Sequence, residues 1–314
     1  MAWDSETKPT GEIKMRINSI WNCFASILIA TCSVAVGQTN TTLTAASGPA
    51  IQEKQQALDE TKRAQEKSQT QLETEKQLAR KLANEATQAF GEGEYESALR
   101  AATRLCELRP DSVSYQFLRG NISFAAGKMA QSVSAFDLVI QLDAELWQRG
   151  LALYYARRFD EGVKQFETHQ TVNSQDVENA VWHLLCAARV SNVDKARKKL
   201  IPITDDTRVP MSQVYEMFAG RMTPQEVLKA AQTTTARVSK DSGSHRLQRY
   251  YAHLYIGLYY EMLGKSDSAK TSLKSAAEIN PLGKQNFMGQ VARVHLQLLK
   301  TKSAQPRRSE KRAP

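Results

Sequence analysis

Residues 91–110 read G-E-G-E-Y-E-S-A-L-R-A-A-T-R-L-C-E-L-R-P, and the same grammar returns three times further along the chain. It reappears at 119–136 as R-G-N-I-S-F-A-A-G-K-M-A-Q-S-V-S-A-F, at 149–166 as R-G-L-A-L-Y-Y-A-R-R-F-D-E-G-V-K-Q-F, and at 256–281 as I-G-L-Y-Y-E-M-L-G-K-S-D-S-A-K-T-S-L-K-S-A-A-E-I-N-P. Small residues at Ala86, Gly120, Gly150 and Gly257, matched by Ala98, Ser132, Gly162 and Ala269, let two helices approach closely. Gly93, Gly127 and Gly264 supply the turn between them, and Pro110 and Pro281 stop the second helix. The small-residue marks at 98, 132, 162, 196 and 269 lie 34, 30, 34 and 73 residues apart, so one further unit is expected within 206–240. There Thr223-Pro224-Gln225-Glu226 has the layout of a capping box before Val227 and Leu228.

These units resemble the tetratricopeptide repeat, a 34-residue helix-turn-helix. The expected fold is all-α: an α-solenoid of tetratricopeptide-like helical hairpins with an N-terminal helix and a C-terminal capping helix. Its units are expected at 79–112, 113–142, 143–176, 177–205 (degenerate), 206–240 (divergent) and 250–283, with residues 239–244 as a separating loop. Phe287, Val291, Val294 and Leu298 recur at spacings of 4, 3 and 4, which predicts a capping helix over 284–300.

Upstream of the repeats, residues 52–81 contain no Gly or Pro and mix both charges, as a long polar helix does. Ile51, Leu58, Leu72, Ala79 and Ala86 fall at multiples of seven but Gln65 interrupts them, so residues 51–78 read as a solvated polar helix, with a weak coiled coil as the alternative. Residues 38–50, rich in Thr, Ser, Gly and Pro, are expected to be a flexible linker. Before that, Arg16, the apolar run Phe24 to Ala30 and the small residues Ser33, Ala35 and Gly37 have the layout of a secretory signal peptide over 1–37. The acidic residues Asp4, Glu6 and Glu12 do not suit such a segment, which points to Met15 as the start. Three outcomes stay open: cleavage between Cys32 and Gln38, lipidation of Cys32, or retention as a membrane anchor.

The 314 residues carry 42 Lys and Arg against 33 Asp and Glu, a net charge of +9. Residues 300–314 hold six of the cations against Glu310, so +5 sits in a tail, with 301–314 expected to be disordered. The folded body is only mildly basic, and no specific nucleic acid is implied. Cys106 and Cys186 lie 80 residues apart in different units and are expected to be buried free thiols.

Chemistry-bearing motifs are few. His183 and Cys186 stand at i, i+3 and imitate a nucleophile pair, but W-H-L-L-C-A-A is an apolar helix and core packing is the expectation. The histidines (His169, His183, His245, His253, His295) include no i, i+4 pair, and no phosphate-cradling glycine loop is present. Neither a catalytic site nor a cofactor or metal is expected.

A narrower resemblance is to the NlpI-type tetratricopeptide lipoproteins of the bacterial cell envelope. It is carried by G-L-A-L-Y-Y-A-R-R-F at 150–159, W-H-L-L at 182–185 and V-Y-E-M-F-A-G-R-M-T-P-Q-E at 214–226. Thr31 before Cys32 departs from the usual lipidation box. The resemblance implies a non-enzymatic adaptor, exported to the periplasm or envelope, that binds other proteins or peptides and forms a homodimer, with attachment to the membrane through the N-terminus. In repeats of this class the first helices line a groove, which implies a partner-binding set of Phe117, Asn121, Trp147, Leu151, Tyr251 and Leu254. Ala83, Thr87 and Leu118 stand where a carboxylate-binding subclass has Lys and Asn, so the groove is expected to take an apolar or aromatic segment. Two alternatives remain: an oligomerising envelope component using residues 51–78, and a binder of anionic surfaces using the tail.

Overall fold

The computed structural model describes residues 48–233 and 243–304, and every regular element among them is a helix. In chain order these are α1 Gly48–Glu92, α2 Tyr95–Leu108, α3 Val113–Ala125, α4 Met129–Val139, α5 Trp147–Tyr155 and α6 Phe159–Gln170. They continue as α7 Val177–Val190, α8 Val193–Arg197, α9 Met211–Phe218, α10 Pro224–Gln232, α11 Gly243–Met262, α12 Ser266–Ile279 and α13 Phe287–Ala304. The helices pair as successive hairpins, which is the all-α repeat architecture expected. The signal-peptide segment with Cys32, most of the expected linker, and the tail beyond residue 304 lie outside the described residues. No helix among the described residues is long and apolar enough to cross a membrane.

The chain divides into residues 1–74 and residues 75–314. In the first unit, residues 52–74 of α1 are exposed throughout, held by local pairs such as Gln55 with Asp59 and by helical propensity. Helix α1 begins at Gly48, inside the stretch expected to be linker. Pro49 does not prevent this, because a first-turn N–H has no helical partner to lose. Nor does α1 break near residue 78; the polar helix and the first helix of the first repeat are one element.

In the second unit the hairpins share one turn. The N–H of Gly127 reaches Phe124 O and that of Lys128 reaches Ser123 O, the two bonds that close a helix through a left-handed residue. The same pair forms at Gly93, Gly220 and Gly264, all with positive φ, and at Arg157, which holds φ 63° without being glycine. Beyond the turn, small residues face each other: Ala98, Ser132 and Ala269 are fully buried, and Ser132 Oγ donates to Gly120 O at 2.9 Å. The units then stack over a core running from Phe124 through Trp182 and Phe218 to Val294.

Two boundaries differ from expectation. Helix α11 starts at Gly243, seven residues before 250, so Gly243 and Ser244 belong to a first helical turn and not to a loop. The degenerate unit is short in its second helix, five residues of α8, after which 198–210 run without regular structure. The capping box forms as expected: Thr223 accepts from Glu226 N while Glu226 accepts from Thr223 N.

Candidate functional site: the first-helix face and helix α13

Helix α13 lies along the first helices of the repeats. Phe287, at its start, packs its ring 4.2 Å from Phe124 of α3 and 5.5 Å from Trp147 of α5, with Phe136 of α4 at 6.2 Å. At the next residue, Tyr250 of α11 donates its hydroxyl to Met288 O. Arg293 lies 4.3 Å over the Tyr95 ring and donates to Ala125 O. The loop leading into α13 adds Lys284 Nζ to Glu92 O at 2.7 Å and Gln285 Nε2 to Thr87 O at 2.8 Å. Val291, Ala292 and Val294 are fully buried beneath these contacts.

Near the middle of α13, His295 Nδ1 meets the Tyr155 hydroxyl at 3.0 Å, and its Nε2 is 3.9 Å from Glu261. Glu261 also takes Arg189 at 2.6 Å and the Tyr154 hydroxyl at 3.1 Å. Burial alone would raise the Glu261 carboxyl; His295, Arg189 and Tyr154 outweigh it and hold it below the ordinary carboxylate range. Burial pushes both tyrosine hydroxyls far up, so they stay protonated.

The six residues assigned to the groove therefore separate. Leu151 and Leu254 are core residues, at 1% and 0% exposure, and cannot touch a partner. Their positions on the first helices also face the neighbouring repeat, and small errors of helical phase move a residue from lining to core. Phe117 and Trp147 are half-buried beside the α13 contact, Phe117 with its ring 6.0 Å from Phe136; Asn121 is half-buried on the same helix as Phe117. Tyr251 sits elsewhere, stacked at 6.2 Å on Tyr255. That stack adjoins an arginine clamp: Arg208 reaches Asp176 at 2.6 Å, Glu178 at 2.9 Å and Asp206 at 2.6 Å, while Tyr255 donates to Glu178 at 2.8 Å. With its guanidinium engaged by three carboxylates, Arg208 fastens the irregular segment 198–210 to α7.

Cys186 is fully buried against Gly162 and burial pushes its thiol far up, so no reactive thiolate is offered. His183 is buried, with Nε2 3.5 Å from Glu167. Cys106 is likewise buried and unpaired. Among the described residues no group of three or more His, Cys, Asp or Glu side chains could hold a metal ion.

The packing of α13 back onto the first repeats is what sequence reasoning missed. Its stripe of Phe287, Val291, Val294 and Leu298 fixes a buried face but not what that face meets. The available signal was polar: Gln290 and His295 stand between the apolar positions and are buried at 2% and 3%.

Fold and site together define a helical-hairpin repeat protein whose first helices hold a further helix. Residues 84–145, spanning the end of α1 through α4, match the family model described as tetratricopeptide repeat. Among solved structures the chain is similar to the one titled "Crystal structure of MamA protein", with 14% identity, coverage of 65% of this chain and 92% of that chain, and a TM-score of 0.36. No curated protein matches it.

Proposed function

We propose that this chain is a non-enzymatic scaffold or adaptor of the bacterial cell envelope that binds partner proteins through the first-helix face of its repeats. One observation carries the reading: Phe124, Trp147 and Tyr155 on that face grip an amphipathic helix by ring packing and hydrogen bonds. Desolvated aromatic anchors of this kind dominate protein interfaces, and truncating one costs about 2 kcal/mol or more. The envelope assignment is supported by the signal-peptide layout of residues 1–37 and by the NlpI-type resemblance.

The test is cross-linking in the native compartment followed by identification of the joined proteins, for the unaltered chain and for Trp147→Ala. Loss of a cross-linked partner with the melting temperature nearly kept supports the face; unchanged cross-linking removes it. Intact mass of the same material should give a chain beginning between Cys32 and Gln38. A chain retaining Trp3 and Trp21 would remove the envelope assignment.

A second reading, an oligomerising role for the N-terminal helix, is favoured by the exposure of Leu58 and Leu72, at 48% and 45%. It requires that Leu58→Glu with Leu72→Glu halve the native mass.

A further inference from the structure

Resting on that reading of the first-helix face, we infer that α13 is a stand-in for the partner, bound in cis. The face takes an amphipathic helix carrying an aromatic residue, aliphatic residues four and seven positions later, and a cation six positions later, and such a helix binds by displacing α13.

The spacing is read directly from the occupant. Phe287 is the aromatic anchor among Phe124, Phe136 and Trp147, Val291 and Val294 are the buried aliphatic residues, and Arg293 is the cation. The cation has a reason to stand there. Ala125 O, which Arg293 takes, is the last carbonyl of α3, where unsatisfied carbonyls and the helix dipole concentrate negative charge. Lys284 does the same three residues before Phe287, at Glu92 O, the last carbonyl of α1. Both contacts are satisfied by any helix that brings a cation to those two ends.

Buried polar side chains are shared with the repeat helices, such as Asn179 and His183 of α7, but on α13 Gln290 and His295 are joined by the aromatic anchor Phe287 and by Arg293, whose guanidinium burial pushes downward against the pull of Tyr95. Aromatic and arginine anchors among hydrogen-bonded polar groups are the make-up of a protein–protein interface. Tyr95 donates to Gln290 Oε1 at 3.2 Å and Arg293 Nε donates to the same oxygen at 2.8 Å, so one glutamine organises the contact between α13 and α2. The connection allows release: α12 ends at Ile279 and residues 280–286, with Gly283 at φ 80°, link it to α13 without regular structure.

The probe is a fluorescent peptide with the sequence of residues 284–300, titrated into the full chain. The unaltered chain should bind it weakly, and Phe287→Ala, which weakens only the competitor, at least tenfold more tightly. Adding Trp147→Ala to Phe287→Ala should abolish the gain. A folded Phe287→Ala chain that binds the peptide no better than the unaltered chain overturns cis competition. Should Phe287→Ala fail to fold, hydrogen exchange of the unaltered chain decides. Amides of α13 should exchange at least tenfold faster than those of α11, and faster again with excess peptide. Equal protection of α11 and α13, unmoved by the peptide, makes α13 a permanent cap and overturns the proposal, as does a doubled native mass with α13 seated in a second copy. The two readings fail differently: binding that depends on Trp147 but ignores Phe287 sinks only the competition, while binding indifferent to Trp147 sinks the face itself.

Discussion

The ring of Phe166 occupies the space that a side chain on Gly150 would need: a Cβ there would lie 2.5 Å from Cζ. Gly120 stands in the same relation to Phe136 at 2.4 Å, and Gly257 to Leu273 Cγ at 2.6 Å. Each first helix thus lies on its own second helix with no room between them, and the large residue filling the gap is fully buried or nearly so. Alanine at Gly150 would gain about 0.8–1 kcal/mol in helix propensity. Overpacking a rigid core costs about 1–3 kcal/mol, and Phe166, at 1% exposure, has nowhere to move. The clash wins, so Gly150→Ala should lower stability in urea by roughly 1 kcal/mol. A more stable variant would mean that the hairpin is not packed at this distance.

These glycines are also why the fold was readable. A required close approach leaves a small residue at a recurring spacing on each helix of the pair, and the matching small-residue marks of the second helices at 98, 132, 162, 196 and 269 all fall at buried positions. The groove was less readable for a physical reason. Position on a first helix does not separate Leu151, which packs inward, from Trp147 one turn earlier, which meets α13. The contact between Arg293 and Tyr95 joins the last helix to the start of the second, and no local pattern encodes a pairing across that length of chain.

Arg157 offers a test of the turn. It is exposed and holds φ 63°, where the equivalent residues are Gly93, Gly127, Gly220 and Gly264. A left-handed conformation costs a non-glycine residue about 1–2 kcal/mol. Glycine would remove that strain while giving back about 0.5–1 kcal/mol of chain entropy. Arg157→Gly should therefore raise stability by about 0.5–1 kcal/mol, measured by thermal or urea unfolding. A clear loss would show that the arginine side chain makes a contact outweighing its strain.

Glu178 should make the chain less stable as pH rises. Burial and the neighbouring Asp176 push its carboxyl up to about 7, against the opposing pull of Arg208 and Tyr255. The folded chain then binds a proton that the unfolded chain, with an ordinary value of 4.5, has released, so stability falls with pH across that window. Glu178→Gln carries no such charge. The stability of the variant relative to the unaltered chain should rise by roughly 3 kcal/mol between pH 4.5 and pH 8, because one pKa unit is about 1.4 kcal/mol and the pull of Arg208 is already contained in the raised value. A difference independent of pH would show that Arg208 fully neutralises the charge.

Glu261 should act in the opposite direction. It receives Arg189, the Tyr154 hydroxyl and, from α13, His295, and these together hold its carboxyl below 4.5. A depressed value means stability that is fully present above the unfolded value and is lost as pH falls through the lower folded one. Removing one member of a buried charged pair costs about 3–5 kcal/mol, but the Arg189 side chain is 36% exposed and recovers part of that from water. Glu261→Gln should thus cost about 2 kcal/mol from pH 5 to pH 8, with the gap narrowing as pH falls below the unfolded value of 4.5 and the carboxyl of the unaltered chain takes its own proton. Because His295 belongs to α13, the substitution should also quicken hydrogen exchange in α13 more than in α12. A gap that persists undiminished at pH 3 would mean that Glu261 acts through shape, and equal exchange in the two helices would mean that its charge contact with His295 does not hold α13 in place.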